Sequence, residues 1–254
     1  MDRMPLSIVQ KRSFRRNGFL VLPDFSPPAE VMVIRQVLEG LFSRQIGRSE
    51  GDLLDFAAVE FDPARPVMPQ LLRPVRYAAE LAETAFRTRA QLVARHLLGP
   101  DAAFQFDHAI VKPPRDGCAT PWHQDIAFHP PEDRHRNLTI WMALQDVDER
   151  NGCLRYLPGS HRGRLYSHRP IGGDARLHGL EAIDVTAADP VAAPLPAGGV
   201  VVHDSRTLHG AGPNLSEAPR WSYAAVFRRP GRGRLHGWRY GPLLSDPLAS
   251  FLRG

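Results

Sequence analysis

With 254 residues, 43% of them hydrophobic, the chain can bury a full-sized core, which excludes a protein disordered throughout. Two cysteines, Cys118 and Cys153, exclude a disulfide framework or a four-cysteine zinc site and point to a reducing compartment, the cytoplasm. The net charge of +5 admits an anionic partner, but it is carried almost wholly by arginine and does not indicate one by itself.

No long apolar run follows the charges of residues 1–16, and none elsewhere approaches a membrane span, so neither an export signal nor a membrane partner is expected. The stretch Ser250-Phe-Leu-Arg-Gly254 lacks a peroxisomal tripeptide. Ser26 is placed to cap a helix whose first turn holds Pro27 and Pro28, and Ile34, Val37, Leu38 and Leu41 recur at helical spacing to about Ser43. Residues 47–74 carry Gly, Asp and Pro without steady periodicity and read as a long loop. Leu81, Ala85, Phe86, Val93 and Leu97 then mark a second helix, stopped by Gly99-Pro100.

From Phe104 the pattern changes to short runs at 104–112, 138–147, 154–157, 199–203 and 222–227, bounded by Pro, Gly, Asn or Asp. No long helix interrupts them, so parallel crossovers are not expected and a jelly-roll or cupin-like double sheet is. The basic segment 228–239, with Trp238 interleaved, has the composition of a solvated tail, and nucleic acid is not expected as a partner. A single domain over residues 1–254 follows, with a helical flank at 1–100, the β core at 101–228 and the tail at 229–254.

The chemistry concentrates at Pro121-Trp-His123-Gln-Asp125. In extended backbone, residues two apart face the same side, so the imidazole of His123 and the carboxylate of Asp125 converge. A His-x-Asp pair needs a third ligand. His209 lies between Leu208 and Gly210, with glycines that allow close backbone approach, and His203 competes with it. Two imidazoles and one carboxylate are the facial set of non-haem Fe(II) oxygenases, with positions left for a cosubstrate and O2. A cosubstrate carboxylate needs a fixed cation, and Arg220 heads the run ending at Phe227, with Ser222 on the same face as a candidate hydroxyl donor. For His108, His129, His135, His161 and His203 the plainer expectation is a local structural role.

Pro121–Asp125, Leu138–Val147, Asn151-Gly-Cys-Leu154, Pro158-Gly-Ser-His161 and His209-Gly-Ala-Gly-Pro-Asn214, followed by Arg220, together resemble the phytanoyl-CoA dioxygenase family. The resemblance implies a mainly β fold, a double-stranded β-helix with N-terminal flanking helices. It implies Fe(II) on His123, Asp125 and His209, favouring His209 over His203, with 2-oxoglutarate chelating the metal and its far carboxylate on Arg220. Trp141 matches a position lining the cosubstrate pocket. The implied activity is a dioxygenase that consumes O2 and 2-oxoglutarate to hydroxylate a small molecule, releasing succinate and CO2. Ala211 stands where many relatives have serine, which implies one hydrogen bond fewer to 2-oxoglutarate, whereas the intact Asp125 favours hydroxylation over halogenation. The reading from a different class is a non-catalytic double-stranded β-helix that binds a metal or another ligand. Substrate choice is expected to lie in the loops 47–74, 128–137 and 162–180.

Overall fold

The computed structural model describes residues 6–115, 118–129, 136–186 and 189–229, and the elements below belong to those residues. In chain order they are α1 (Ile8–Asn17), β1 (Phe19–Leu22), α2 (Pro28–Ser43), β2 (Leu53–Asp55), β3 (Pro69–Leu72), α3 (Ala85–Leu98), β4 (Ala103–Lys112), β5 (Thr120–His123), β6 (Asn137–Ala143), β7 (Leu154–Tyr156), β8 (His168–Pro170), β9 (Leu180–Ala182), β10 (Val191–Ala193), β11 (Val200–Asp204), β12 (His209–Ala211) and β13 (Arg220–Arg228). The basic segment at 228–239 lies outside the described residues from 230 onward.

The strands form a seven-stranded sheet in the order β1-β11-β6-β13-β4-β3-β2, a four-stranded sheet in the order β10-β7-β12-β5, and the β8-β9 hairpin. Every pairing between these strands is antiparallel. This is a double-stranded β-helix with helices flanking the larger sheet. Its period-2 patterning separates two cores. On the outer face, Leu138, Ile140 and Met142 of β6, Val200 and Val202 of β11, and Tyr223, Ala225 and Phe227 of β13 pack with the helices. On the inner face, Trp141, Ala143, Val201 and Ala224 meet Leu154, Tyr156 and Ala211 of the smaller sheet.

The flanking helices form for local reasons and are held by packing. In α3, Thr84 accepts from the Arg87 N–H as the N-cap, and Phe86, Ala90, Val93 and Ala94 make one buried stripe. The fully buried Phe86 ring lies 5.3 Å from that of Tyr223 and 6.0 Å from that of Phe25, and burying a ring of this size contributes about 2–3 kcal/mol. Glu30, in the first turn of α2, accepts from the N–H groups of Ala85 and Phe86 and so caps α3 from a neighbouring helix.

Several features depart from the sequence expectations: β1 lies within the expected helical flank, and Leu81 sits in a separate 3₁₀ turn (Ala79–Glu83) ahead of α3. Pro27, not Ser26, occupies the N-cap of α2; the Ser26 N–H donates to Gly198 O, and its buried hydroxyl has no partner among the described residues. Residues 47–74 are not a plain loop, since β2 and β3 lie there and extend the large sheet. A helix not anticipated, α1, buries only Phe14 and rests on its ends, a Ser7–Gln10 capping box and a left-handed Gly18.

Asp107 of β4 faces the helices. Its Oδ2 accepts from the Tyr223 hydroxyl (2.6 Å) and the Val75 N–H (3.2 Å), while its buried Oδ1 has no partner among the described residues. Burial pushes its carboxyl up to about 6, despite the hydrogen bonds from Tyr223 and Val75 and the nearby Arg87. Because the folded state binds this proton more tightly than the unfolded chain, the contribution is fully present below about pH 4 and is lost as pH rises through about 6. The loss amounts to about 3 kcal/mol. Urea midpoints from pH 4 to pH 8 are expected to fall more steeply for the wild type than for Asp107→Asn, and parallel profiles would show that Asp107 does not titrate in this range.

Candidate metal centre

Two short strands of the smaller sheet bring two imidazoles together. His123 ends β5, His209 opens β12, and the two are directly paired, with ring centroids 4.2 Å apart. The close approach depends on Gly210, where a Cβ would lie 2.9 Å from Thr120 O. Asn214, at the end of the same motif, is buried and donates to the carbonyls of Lys112, Pro113 and Ala218, tying the following loop to the end of β4. Gly152, in Asn151-Gly-Cys-Leu154, has φ +81° and packs where a Cβ would meet Gly212 O at 2.6 Å. Asp125 lies outside the strand, at the first residue of a 3₁₀ turn over Asp125–Phe128, but Gln124 stays extended and carries the alternation to it.

The Nδ1–H of His123 donates to Pro121 O (2.8 Å) and that of His209 to Thr207 O (3.0 Å). Each Nε2 is therefore left with a lone pair, and these approach Asp125 Oδ1 at 3.6 and 3.5 Å. Burial lowers the pKa of His123, and burial together with His123 holds His209 well below its ordinary value, so both rings are neutral. Burial alone would raise Asp125, but His209 and the His203 hydrogen bond outweigh it and hold the carboxyl well below the usual range. Three acceptors thus converge with ligand atoms all within 4.8 Å, an arrangement that is repulsive until a cation lies between them. The residues fit a divalent metal.

The other oxygen of Asp125 is gripped from behind. Thr139 Oγ1 donates to Oδ2 at 2.8 Å and His203 Nε2 does so at 3.1 Å, while the Tyr156 hydroxyl lies 2.9 Å from His203 Nδ1. His203 and His209, rivals in the sequence, are both present here, with rings 4.4 Å apart.

Arg220, at the start of β13, is 3% exposed in the same cavity. Its Nη1 donates to Ser222 Oγ (2.9 Å), its guanidinium carbon sits 5.4 Å from the centroid of the Trp141 ring, and its buried Nε has no partner among the described residues. No ion pair to Arg220 is present among the described residues. Burial pulls the guanidinium down to about 10, still charged at neutral pH. A buried cation with unspent donors is a receptor for a carboxylate. The Ser222 hydroxyl spends its proton on Ile110 O (3.2 Å), so it orients Arg220 and is not itself a free donor. Trp141 both packs in the inner core and lines the cavity.

The cavity, about 880 Å³ including its open mouth, continues past these groups to a wall containing Phe56, Phe106, His108 and Phe128. Gln70 Nε2 donates to His108 Nδ1 (3.2 Å), and burial lowers His108 to about 4, so the ring is neutral and carries its proton on Nε2. The loop regions 47–74 and 128–137 both reach this cavity, through Phe56 and Gln70 and through Phe128, His129 and Asn137, whereas residues 162–180 contribute no lining side chain. Sequence reasoning gave His108, His129 and His203 only local roles, and the structure turns all three into the cavity. The period-2 position of His203, two residues after Val201 on β11, is the signal that places it inward. His161 does hold a local contact, with Nε2 donating to Arg15 O at 3.2 Å, and His135 lies outside the described residues.

Known proteins are similar to this chain. The family described as Phytanoyl-CoA dioxygenase (PhyH) matches residues 14–222. A protein of Stutzerimonas stutzeri named "probable alpha-ketoglutarate-dependent hypophosphite dioxygenase" is 30% identical over 83% of this chain and 74% of its own length. The ectoine dioxygenase of Halomonas elongata is 28% identical over 89% of this chain and 70% of its own. The crystal structure of EvdO2 from Micromonospora carbonacea var. aurantiaca, complexed with 2-oxoglutarate, superposes with a TM-score of 0.77 at 35% identity, covering 93% of this chain and 96% of that one. With the family pattern spanning most of the chain, a double-stranded β-helix and a converging His-Asp-His cluster, this protein belongs to the phytanoyl-CoA dioxygenase family of Fe(II)- and 2-oxoglutarate-dependent oxygenases.

Proposed function

We propose that this chain is an Fe(II)- and 2-oxoglutarate-dependent dioxygenase that hydroxylates a small organic molecule, with His123, Asp125 and His209 as the metal ligands and Arg220 as the anchor of the cosubstrate. The observation that carries the reading is the pairing of two incomplete charge sets in one cavity, three converging acceptors awaiting a cation and a buried guanidinium awaiting an anion. When bound, iron and 2-oxoglutarate supply the oxidising chemistry, spending O2 to release succinate and CO2 and to place one oxygen atom on the substrate.

The protein's part is to bind, orient and exclude. The carbonyls of Pro121 and Thr207 keep the histidine protons on Nδ1 and leave Nε2 to the metal. Arg220, steadied by Ser222 and flanked by Trp141, takes the far carboxylate of 2-oxoglutarate. Thr120 pairs with Ala211 across β5 and β12, and both line this pocket. Phe56, Phe106 and Phe128 receive the apolar surface of the substrate and keep water out, and His108 offers its Nε2–H to a substrate oxygen. Among the described residues no helix is long and apolar enough to cross a membrane. No disulfide joins Cys118 and Cys153 among the described residues, which supports a cytoplasmic setting.

The test is an anaerobic titration of metal-free protein with Fe(II) and then 2-oxoglutarate. A visible iron-to-cosubstrate charge-transfer band is expected only after the second addition. Fe(II) binding without a band at any 2-oxoglutarate concentration would instead favour a non-catalytic metal protein.

A further inference from the structure

We infer that His203 is a positioning residue for the metal-binding carboxylate: backed by Tyr156, it holds Asp125 through Oδ2 so that Oδ1 alone is presented to the metal. This rests on the ligand assignment above and extends it to residues that do not touch the metal.

The direction of each hydrogen bond follows from what the groups can donate. A carboxylate offers only acceptors, so the 3.1 Å contact requires the proton of His203 on Nε2. In the neutral ring Nδ1 then has only a lone pair, and the Tyr156 hydroxyl, 2.9 Å away, donates to it. With its proton directed at Oδ2, His203 cannot act as a fourth ligand even though its ring stands 4.4 Å from that of His209. Tyr156 is itself fixed. It is fully buried, stacks on Phe19 at 4.5 Å with an interplanar angle of 11°, and is paired in register with His209.

The sheets divide the work. The two donors to Oδ2, Thr139 and His203, are direct partners on β6 and β11 of the larger sheet. The two imidazoles facing Oδ1, His123 and His209, are direct partners on β5 and β12 of the smaller one. Asp125 lies between the two pairs. With Oδ2 doubly occupied, the carboxylate is held to one-oxygen ligation, and a metal position that a two-oxygen carboxylate would consume stays available.

Co(II), which reports its coordination by its visible ligand-field spectrum, is the probe, titrated into metal-free wild type, His203→Leu, His203→Gln and Tyr156→Phe, with melting temperatures taken on each. His203→Leu is expected to bind Co(II) roughly 10–100-fold more weakly and with an altered spectrum, the usual scale for losing a partner of a metal ligand. His203→Gln, whose amide N–H can reach Oδ2, is expected to regain most of the affinity and the wild-type spectrum. Tyr156→Phe keeps the stacked ring and is expected to shift the spectrum the same way with a smaller loss; it carries the test if His203→Leu fails to fold. Wild-type affinity and spectrum in both His203→Leu and Tyr156→Phe would overturn the inference, as would equal losses in the Leu and Gln variants that track their melting temperatures. Failure of the wild type itself to bind Co(II) would remove the ligand assignment and this inference with it, and so is distinguishable from failure of the inference alone.

Discussion

Metal-free His209→Ala is expected to fold, to bind Co(II) more than about 100-fold more weakly than the wild type, and to release no succinate above background. The lower bound comes from the roughly 10–100-fold cost of losing a mere partner of a ligand, which loss of the ligand itself must exceed. Folding should survive because His209 sits at the entrance of a three-residue strand whose hold on its neighbours is made by backbone pairing to Tyr156, Arg155 and Leu154. Removing one of three mutually repelling acceptors even relieves the metal-free protein. The variant therefore separates ligand loss from misfolding, and retained turnover would sink the metal assignment.

Arg220→Met is expected to leave metal affinity within a few-fold of wild type while weakening 2-oxoglutarate by about 2–5 kcal/mol, roughly 30-fold or more in Kd. That range is what losing one partner of a buried, hydrogen-bonded charge pair costs. The metal-free variant is expected to melt no lower than the wild type, because the cation it removes is buried without an ion pair among the described residues and already carries a desolvation cost. Arg220→Lys keeps the charge but not the two-pronged fork and should fall between. Band formation in the Fe(II) titration, followed against 2-oxoglutarate concentration, measures all three. Unchanged 2-oxoglutarate affinity in Arg220→Met would place the anchor elsewhere.

Much of this architecture is written in local pattern. The strands β4, β6, β11 and β13 are largely apolar runs of five to ten residues bounded by Pro, Gly, Asn or Asp, enough for their limits to be read within a few positions, and α2 and α3 carry clear buried stripes. What escaped was made by distant partners. β2 and β3 have three and four residues in a stretch broken by Gly, Asp and Pro; their pairing with each other, and of β3 with β4, is what makes them strands. Helix α1 is mostly polar and is visible through its caps alone. At the site, the gathering of His123, Asp125 and His209 was accessible because the first two lie two residues apart in extended backbone and His209 is followed by glycine, with the family resemblance deciding between His209 and His203. The contact of His203 with Asp125 spans 78 residues and that of Tyr156 with His203 spans 47, distances over which no short-range spacing carries information. Ser222 was placed on the right face, but which acceptor takes its proton depends on Ile110, 112 residues away.

The order of strands in the larger sheet bears on how this chain can be divided. Its two margins, β1 and β2, both come from the first hundred residues, although the interior is drawn mainly from the second half. Sequence position suggests a helical preface that could be detached from a self-sufficient β body. Hydrogen bonding makes those same residues the selvedge of the sheet, sealing β11 on one side and, through β3, β4 on the other. A fragment beginning at residue 101 would inherit two raw borders ready to pair with any passing strand. The segment ahead of the metal ligands is thus structurally inseparable from them, because it supplies both outer strands of the sheet that carries Arg220 and His203.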